Sequence, residues 1–140
     1  LEEKYVKTGK LRFVFRDFPV PGHTSAVRAA HAAHCAADQD KFWPMHDHLF
    51  ANVDQLGGSH DEDFEVFRRF ASELGLDEDA FMACMESRKY LDRIAADVES
   101  GRALGISGTP AYVLNGEVLI GLYPTDVWAR MIDKRLAELR

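Results

Sequence analysis

Two cysteines, Cys35 and Cys84, and six histidines are the readiest sources of chemistry in this sequence of 140 residues. The cysteines lie far apart, and the chain has no C-x-x-C, the spacing that serves local redox or zinc chemistry. Two thiols permit one disulfide; the alternative is a pair of buried thiols, the usual state in a reducing compartment. No neighbour in the sequence activates either one as a nucleophile. His31, His34 and Cys35 fall at i, i+3 and i+4 on one helical face, and His46 and His48 follow. A metal would need a further ligand that the sequence does not assign, and side chains at i and i+2 diverge on a helix. The reading is therefore no metal, with His46 packed or hydrogen-bonded at the edge of a core.

A different kind of chemistry, that of exposed backbone, attaches to Gly105-Ile106-Ser107-Gly108-Thr109-Pro110. Two glycines suit turns that side chains would forbid. Pro110 opens a short apolar run, Ala111-Tyr112-Val113-Leu114, where its missing N–H need not break a ladder. By itself the segment reads as a connection between a helix and a strand. Its neighbours along the chain give it a second meaning.

The elements that must position these residues follow from periodicity and punctuation. The first residues, to Val6, read as the last turns of a helix, as if the chain were cut through an element, with Thr8-Gly9 ending it. Leu11-Arg12-Phe13-Val14-Phe15 reads as a buried strand. Thr24 or Ser25 caps an Ala-rich helix to about Ala37. A second helix, 41–52, places Phe42, Met45 and Leu49 on one side. A third starts at Ser59 or Asp61 and carries Phe64, Phe67, Ala71 and Leu74 at helical spacing. Asp77 caps a short helix through Phe81, Cys84 and Met85, and Ser87 caps a longer one with Leu91, Ile94 and Val98 inward. Asn115-Gly116 joins two short strands as a hairpin. Thr125 caps a last helix with Trp128, Met131 and Ile132 inward. The acidic runs at 61–63 and 77–79 read as solvated helix starts that complement the helix dipole. The expected fold is α/β: one domain over 1–140, with a helical insertion at about 23–104 between the strand near 11–16 and the hairpin 111–121.

Composition narrows the function. Apolar residues at 46% can build a core, and a net charge of −6 argues against nucleic acid as the main partner. No apolar stretch is long enough to cross a bilayer, so no membrane insertion is expected. No signal peptide is visible.

In this order, the motifs resemble the DsbA-like branch of the thioredoxin superfamily. The resemblance rests on residues 9–19, on Lys41-Phe42-Trp43-Pro44-Met45-His46 and its continuation to Phe50, on Cys84, on 87–90, and on the run from Gly101 through Thr109-Pro110 to Asn115-Gly116. It implies thiol–disulfide exchange without a cofactor, through a C-x-x-C at a helix start whose N-terminus stabilises the thiolate. It implies a cis bond before Pro110, turning the backbone of Thr109 toward a substrate peptide that adds as a strand. Ser107, Gly108, Thr109 and Pro110 would form that substrate-binding loop. It also implies a structural disulfide between Cys35 and Cys84, and hence a periplasmic or otherwise extracytoplasmic place.

The sequence departs from the family pattern in one respect. The resemblance puts the C-x-x-C at the front of the helix whose tail is 1–5, and a central strand before that; neither is in these residues. No catalytic residue is therefore assigned within the chain, and a strand donated by a neighbouring chain is one expectation. Three functions remain open: thiol–disulfide exchange on extracytoplasmic proteins, with this chain giving the cis-Pro side of the site; a non-catalytic thioredoxin-like peptide-binding module; and a glutathione-dependent DsbA-like isomerase.

Overall fold

A computed structural model describes residues 1–139. The chain divides into two compact units, Asp17–Gly105 and a discontinuous one formed by Leu1–Arg16 with the residues from Ile106 onward.

The first unit is helical: α1 (Ala26–Ala37), α2 (Phe42–Ala51), α3 (His60–Glu73), α4 (Glu78–Ser87) and α5 (Leu91–Ala103). Helix α3 begins with a capping box, in which the Ser59 hydroxyl accepts from the Glu62 N–H and the Glu62 carboxylate accepts from the Ser59 N–H. The Asp77 carboxylate caps α4 by accepting from the Ala80 N–H at 2.9 Å. The alanines of α1 serve the packing. Ala32, Ala33 and Ala36 are buried and let α2 and α4 approach closely around Met45, Phe67, Phe70 and Phe81. Each fully buried Phe or Met there stabilises by about 1.5–3 kcal/mol relative to exposure.

The second unit carries a short π-helical segment (Glu2–Val6), a hairpin of β1 (Ala111–Leu114) and β2 (Glu117–Ile120), and α6 (Thr125–Glu138). The strands are antiparallel, with Tyr112 opposite Leu119 and Leu114 opposite Glu117. Asn115 (φ 48°) and Gly116 (φ 91°) form the turn, both in the left-handed region that a two-residue hairpin loop demands. Tyr112 and Trp128 meet edge to face at 4.7 Å, which seats the hairpin on α6. Tyr5 is completely buried, and its hydroxyl donates to the Asp133 carboxylate at 2.9 Å.

The chain is therefore mostly helical with a small antiparallel sheet, and the α/β thioredoxin-like class holds. Within that class, four expectations are corrected. Residues 11–15 lie in no strand ladder; Phe13 is 51% and Val14 49% exposed. A strand exists only through its partner, and the described residues provide a two-stranded sheet of β1 and β2 alone. Ser87 does not cap α5: its hydroxyl donates to the Cys84 carbonyl, Arg88 turns left-handed (φ 56°), and α5 starts three residues later, at Leu91. Thr125 is the first residue of α6 and makes no side-chain cap. Asp63, read as solvated, is 1% exposed and paired.

Candidate functional site

The loop before β1 presents backbone rather than acid–base groups. Thr109–Pro110 is a cis peptide bond. Ser107 and Thr109 are exposed, while Gly108 and Pro110 are half-buried. The Pro110 carbonyl accepts from the Gly121 N–H at 2.9 Å, which extends the hairpin ladder one pair beyond β1. Bonded pairs alternate along an antiparallel ladder. Positions 110, 112 and 114 therefore bond toward β2, and the N–H and C=O groups of Ala111 and Val113 point the other way. Among the described residues no strand lies on that side of β1. Ala111 and Val113 thus present an outward main-chain edge beside exposed Thr109. Gly108 keeps an ordinary φ, and a side chain there would meet open space, so local sterics do not require glycine.

The cysteines belong to the helical unit. Cys35 in the last turn of α1 and Cys84 in the last turn of α4 form a disulfide, S–S 2.07 Å, and leave no free cysteine. His31 stands one helical turn before Cys35, with Nδ1 3.5 Å from its Sγ. Its other nitrogen, Nε2, accepts from the Tyr90 N–H at 3.2 Å. Burial pushes the His31 pKa down, and His34, Arg88 and Lys89 push it the same way against Asp38.

His34 shares a helix face with His31 but has another partner. Its Nε2 lies 2.5 Å from the Asp17 carboxylate, and the Asp17 N–H donates to the Asp97 carboxylate at 3.0 Å. All three residues are buried. This chain holds the start of the helical unit to α1 and α5. His46 contacts the Asp47 carboxylate at 2.9 Å, and its ring lies among Phe42, Trp43 and Phe50 on α2. His48 pairs with Glu73 of α3 at 2.6 Å. The histidines on α1 and α2 are thus each engaged by a protein group, and among the described residues no cluster of three or more candidate ligands is set to hold a metal ion.

Sequence reasoning missed the polar network of Asp17, His34 and Asp97, as well as the cluster of Ser25, Arg28 and Asp63. In that cluster the Ser25 hydroxyl, Arg28 Nε and the Gly57 N–H all reach the Asp63 carboxylate. One signal was available: Asp63, Phe67 and Phe70 recur at helical spacing on the face of α3 that packs inward.

Comparison with known proteins places this geometry. A family model described as Thioredoxin matches residues 1–134. The chain is similar to the Na(+)/H(+) antiporter NhaA 3 of Salinispora tropica, 33% identical over 141 residues, across 100% of this chain and 21% of that protein. It thus spans about a fifth of the length of the curated relatives it matches. Among solved structures it resembles alpha-DsbA1 of Wolbachia pipientis, with a TM-score of 0.81 and 27% identity, over 98% of this chain and 74% of that one. It shares its fold with the thiol-disulfide exchange protein alpha-DsbA2 of the same organism, TM-score 0.75 and 23% identity, over 92% and 68% of the two chains.

Proposed function

Because the chain belongs to the thioredoxin family, in its DsbA-like branch, we propose that it supplies the peptide-holding side of a thiol–disulfide exchange site for extracytoplasmic proteins. Ser107, Gly108, Thr109 and Pro110 form the substrate loop of a single DsbA-like domain in which residues 23–104 are a helical insertion. The carrying observation is the exposed Thr109 beside a β1 edge that has no strand on its outer side among the described residues. An extended segment of a protein thiol or disulfide pairs there through main-chain hydrogen bonds, so many sequences are accepted. No cofactor takes part.

The two cysteines are joined to each other, so the exchanging dithiol has to come from outside these 140 residues. A strand from another segment or a neighbouring chain can occupy the same β1 edge and complete the sheet. The Cys35–Cys84 bond supports an oxidising compartment, where such bonds persist. It serves as a structural bridge between α1 and α4.

The test is Val113→Pro in the protein as its gene encodes it, assayed for oxidation of a reduced, unfolded protein. Proline removes an outward N–H and leaves the bonds to β2 intact. A loss of about tenfold in kcat/KM with an unchanged fold is the expected result, the effect of about one or two main-chain hydrogen bonds. Absence of any exchange activity in the unaltered protein defeats the proposal. Peptide binding without exchange would instead favour the non-catalytic module.

A further inference from the structure

The disulfide of the helical unit is chemically asymmetric, and the asymmetry comes from His31. A neutral imidazole has one N–H and one bare nitrogen. The Tyr90 N–H points at Nε2, 3.2 Å away, so Nε2 is the bare acceptor. The ring proton is therefore on Nδ1, and Nδ1 faces Cys35 Sγ at 3.5 Å. Protonation of Nε2 would set two N–H donors against each other, and burial also opposes the cationic ring. His31 is thereby fixed as a donor to one sulfur of the pair.

No comparable donor to Cys84 Sγ occurs among the described hydrogen bonds. The Ser87 hydroxyl, its near neighbour, is committed to the Cys84 carbonyl at 2.6 Å. The helix dipoles do not discriminate, because each cysteine lies in the last turn of its helix. Exposure of the whole residues leans the same way, 1% for Cys35 and 9% for Cys84, both within the core.

We propose that Cys84 is a thiol-modification site: a small thiol attacks Cys84 Sγ, and Cys35 departs as a thiolate held by the His31 Nδ1–H. The incoming thiolate gives its electron pair to Cys84 Sγ, a new S–S bond forms there, and the Cys35–Cys84 bond breaks. Cys35 carries away the bonding pair and is reduced, while the incoming sulfur is oxidised to the level of a disulfide. The incoming thiol loses its proton to solvent before attack, and the His31 proton stays on Nδ1 as a hydrogen-bond donor. The better-stabilised sulfur leaves faster, which sets the direction. The site belongs to the helical unit and requires no C-x-x-C.

The test uses the native oxidised protein and reduced glutathione as the probe thiol. The reaction is quenched in acid, free thiols are blocked with N-ethylmaleimide, and both cysteines are mapped by peptide mass spectrometry. The expected product carries glutathione on Cys84 and the maleimide on Cys35, in about tenfold excess over the reverse arrangement, the scale of one hydrogen bond to a charged group. His31→Met removes the donor to Cys35 and leaves a thioether, a weak acceptor, for the Tyr90 N–H, so it should bring the two products to near equality. Adduct mainly on Cys35, equal labelling in the unaltered protein, or no adduct at all would overturn the assignment. An unchanged preference in His31→Met would remove His31 as its cause. Mapping of the unaltered protein decides the first point even where the variant fails to fold.

Discussion

The Arg28 guanidinium on α1 reaches the buried carboxylate of Asp63 on α3, with Nε 2.9 Å from Oδ2 and the Ser25 hydroxyl on the same oxygen. The pair ties the beginning of one helix to the first turn of another. Burial alone would push the Asp63 pKa up; the Ser25 hydroxyl, Arg28 and the Gly57 N–H outweigh it and hold the carboxyl below its ordinary range.

Removal of one member of this pair leaves a buried charge without its partner. Arg28→Ala should lower stability by about 2–4 kcal/mol, toward the low end for buried pairs because Arg28 is partly exposed. Urea midpoints of Arg28→Ala, Asp63→Ala and the double variant give the coupling. Strictly additive losses would mean that the two side chains do not act on each other. With a depressed folded pKa, the stabilisation is full above the unfolded value near 3.9 and declines as pH falls below it.

His31 gives a second pH signature at higher pH. The folded state lowers its pKa, first through burial and then through His34, Arg88 and Lys89. The unfolded chain takes up this proton near pH 6.5 and the folded chain does so only at lower pH. The unfolded state thus binds more protons in that window, so stability falls as pH drops below about 7. His31→Gln should flatten that part of the curve. Equal slopes in both proteins would exclude His31 as the origin.

The Cys35–Cys84 bond closes a loop of 49 residues. In the chain-entropy account such a closure stabilises by roughly 4 kcal/mol. The double variant Cys35→Ala, Cys84→Ala should lose about that much, measured as a fall in the urea midpoint of the helical unit. An unchanged midpoint would mean that the bond adds nothing to folding.

Trp128 packs edge to face with both Tyr112 and Tyr123, at 4.7 and 5.8 Å. Trp128→Ala should destabilise the unit holding the hairpin by about 3–5 kcal/mol. Amide exchange in β1 and β2 reports this directly. Protection there as strong as in the unaltered chain would show that the hairpin does not depend on α6.

Local chemistry made most of the helices legible. Ser59 and Glu62, Asp77 and the Asn115-Gly116 pair carry their structural instruction within four residues, and each does what its type and spacing dictate. The failures occur where an instruction is tertiary. Residues 11–15 have the composition of a buried strand, yet strand pairing is a property of two segments, and the sheet of the described residues consists of β1 and β2. Asp63 looks like one of three equivalent acids until Ser25 and Arg28, more than thirty positions earlier, are brought to it. The cis bond before Pro110 followed from the resemblance carried by the loop's neighbours, not from the loop's own composition. The setting of His31 was not readable, because the group that fixes its tautomer is the backbone N–H of Tyr90, 59 residues away.

Tyr5 is sealed against α6 by bonds to Asp133 and to the Ala129 carbonyl, across 128 and 124 positions of sequence. Everything between Asp17 and Gly105 is spooled out between the two halves of that contact. A ribosome releases the helical unit whole before it has made β1, β2 or α6. The first sixteen residues therefore wait, with Tyr5 unhoused, until the last helix is synthesised. Of the two units, the discontinuous one with the peptide edge is the one that translation order delays.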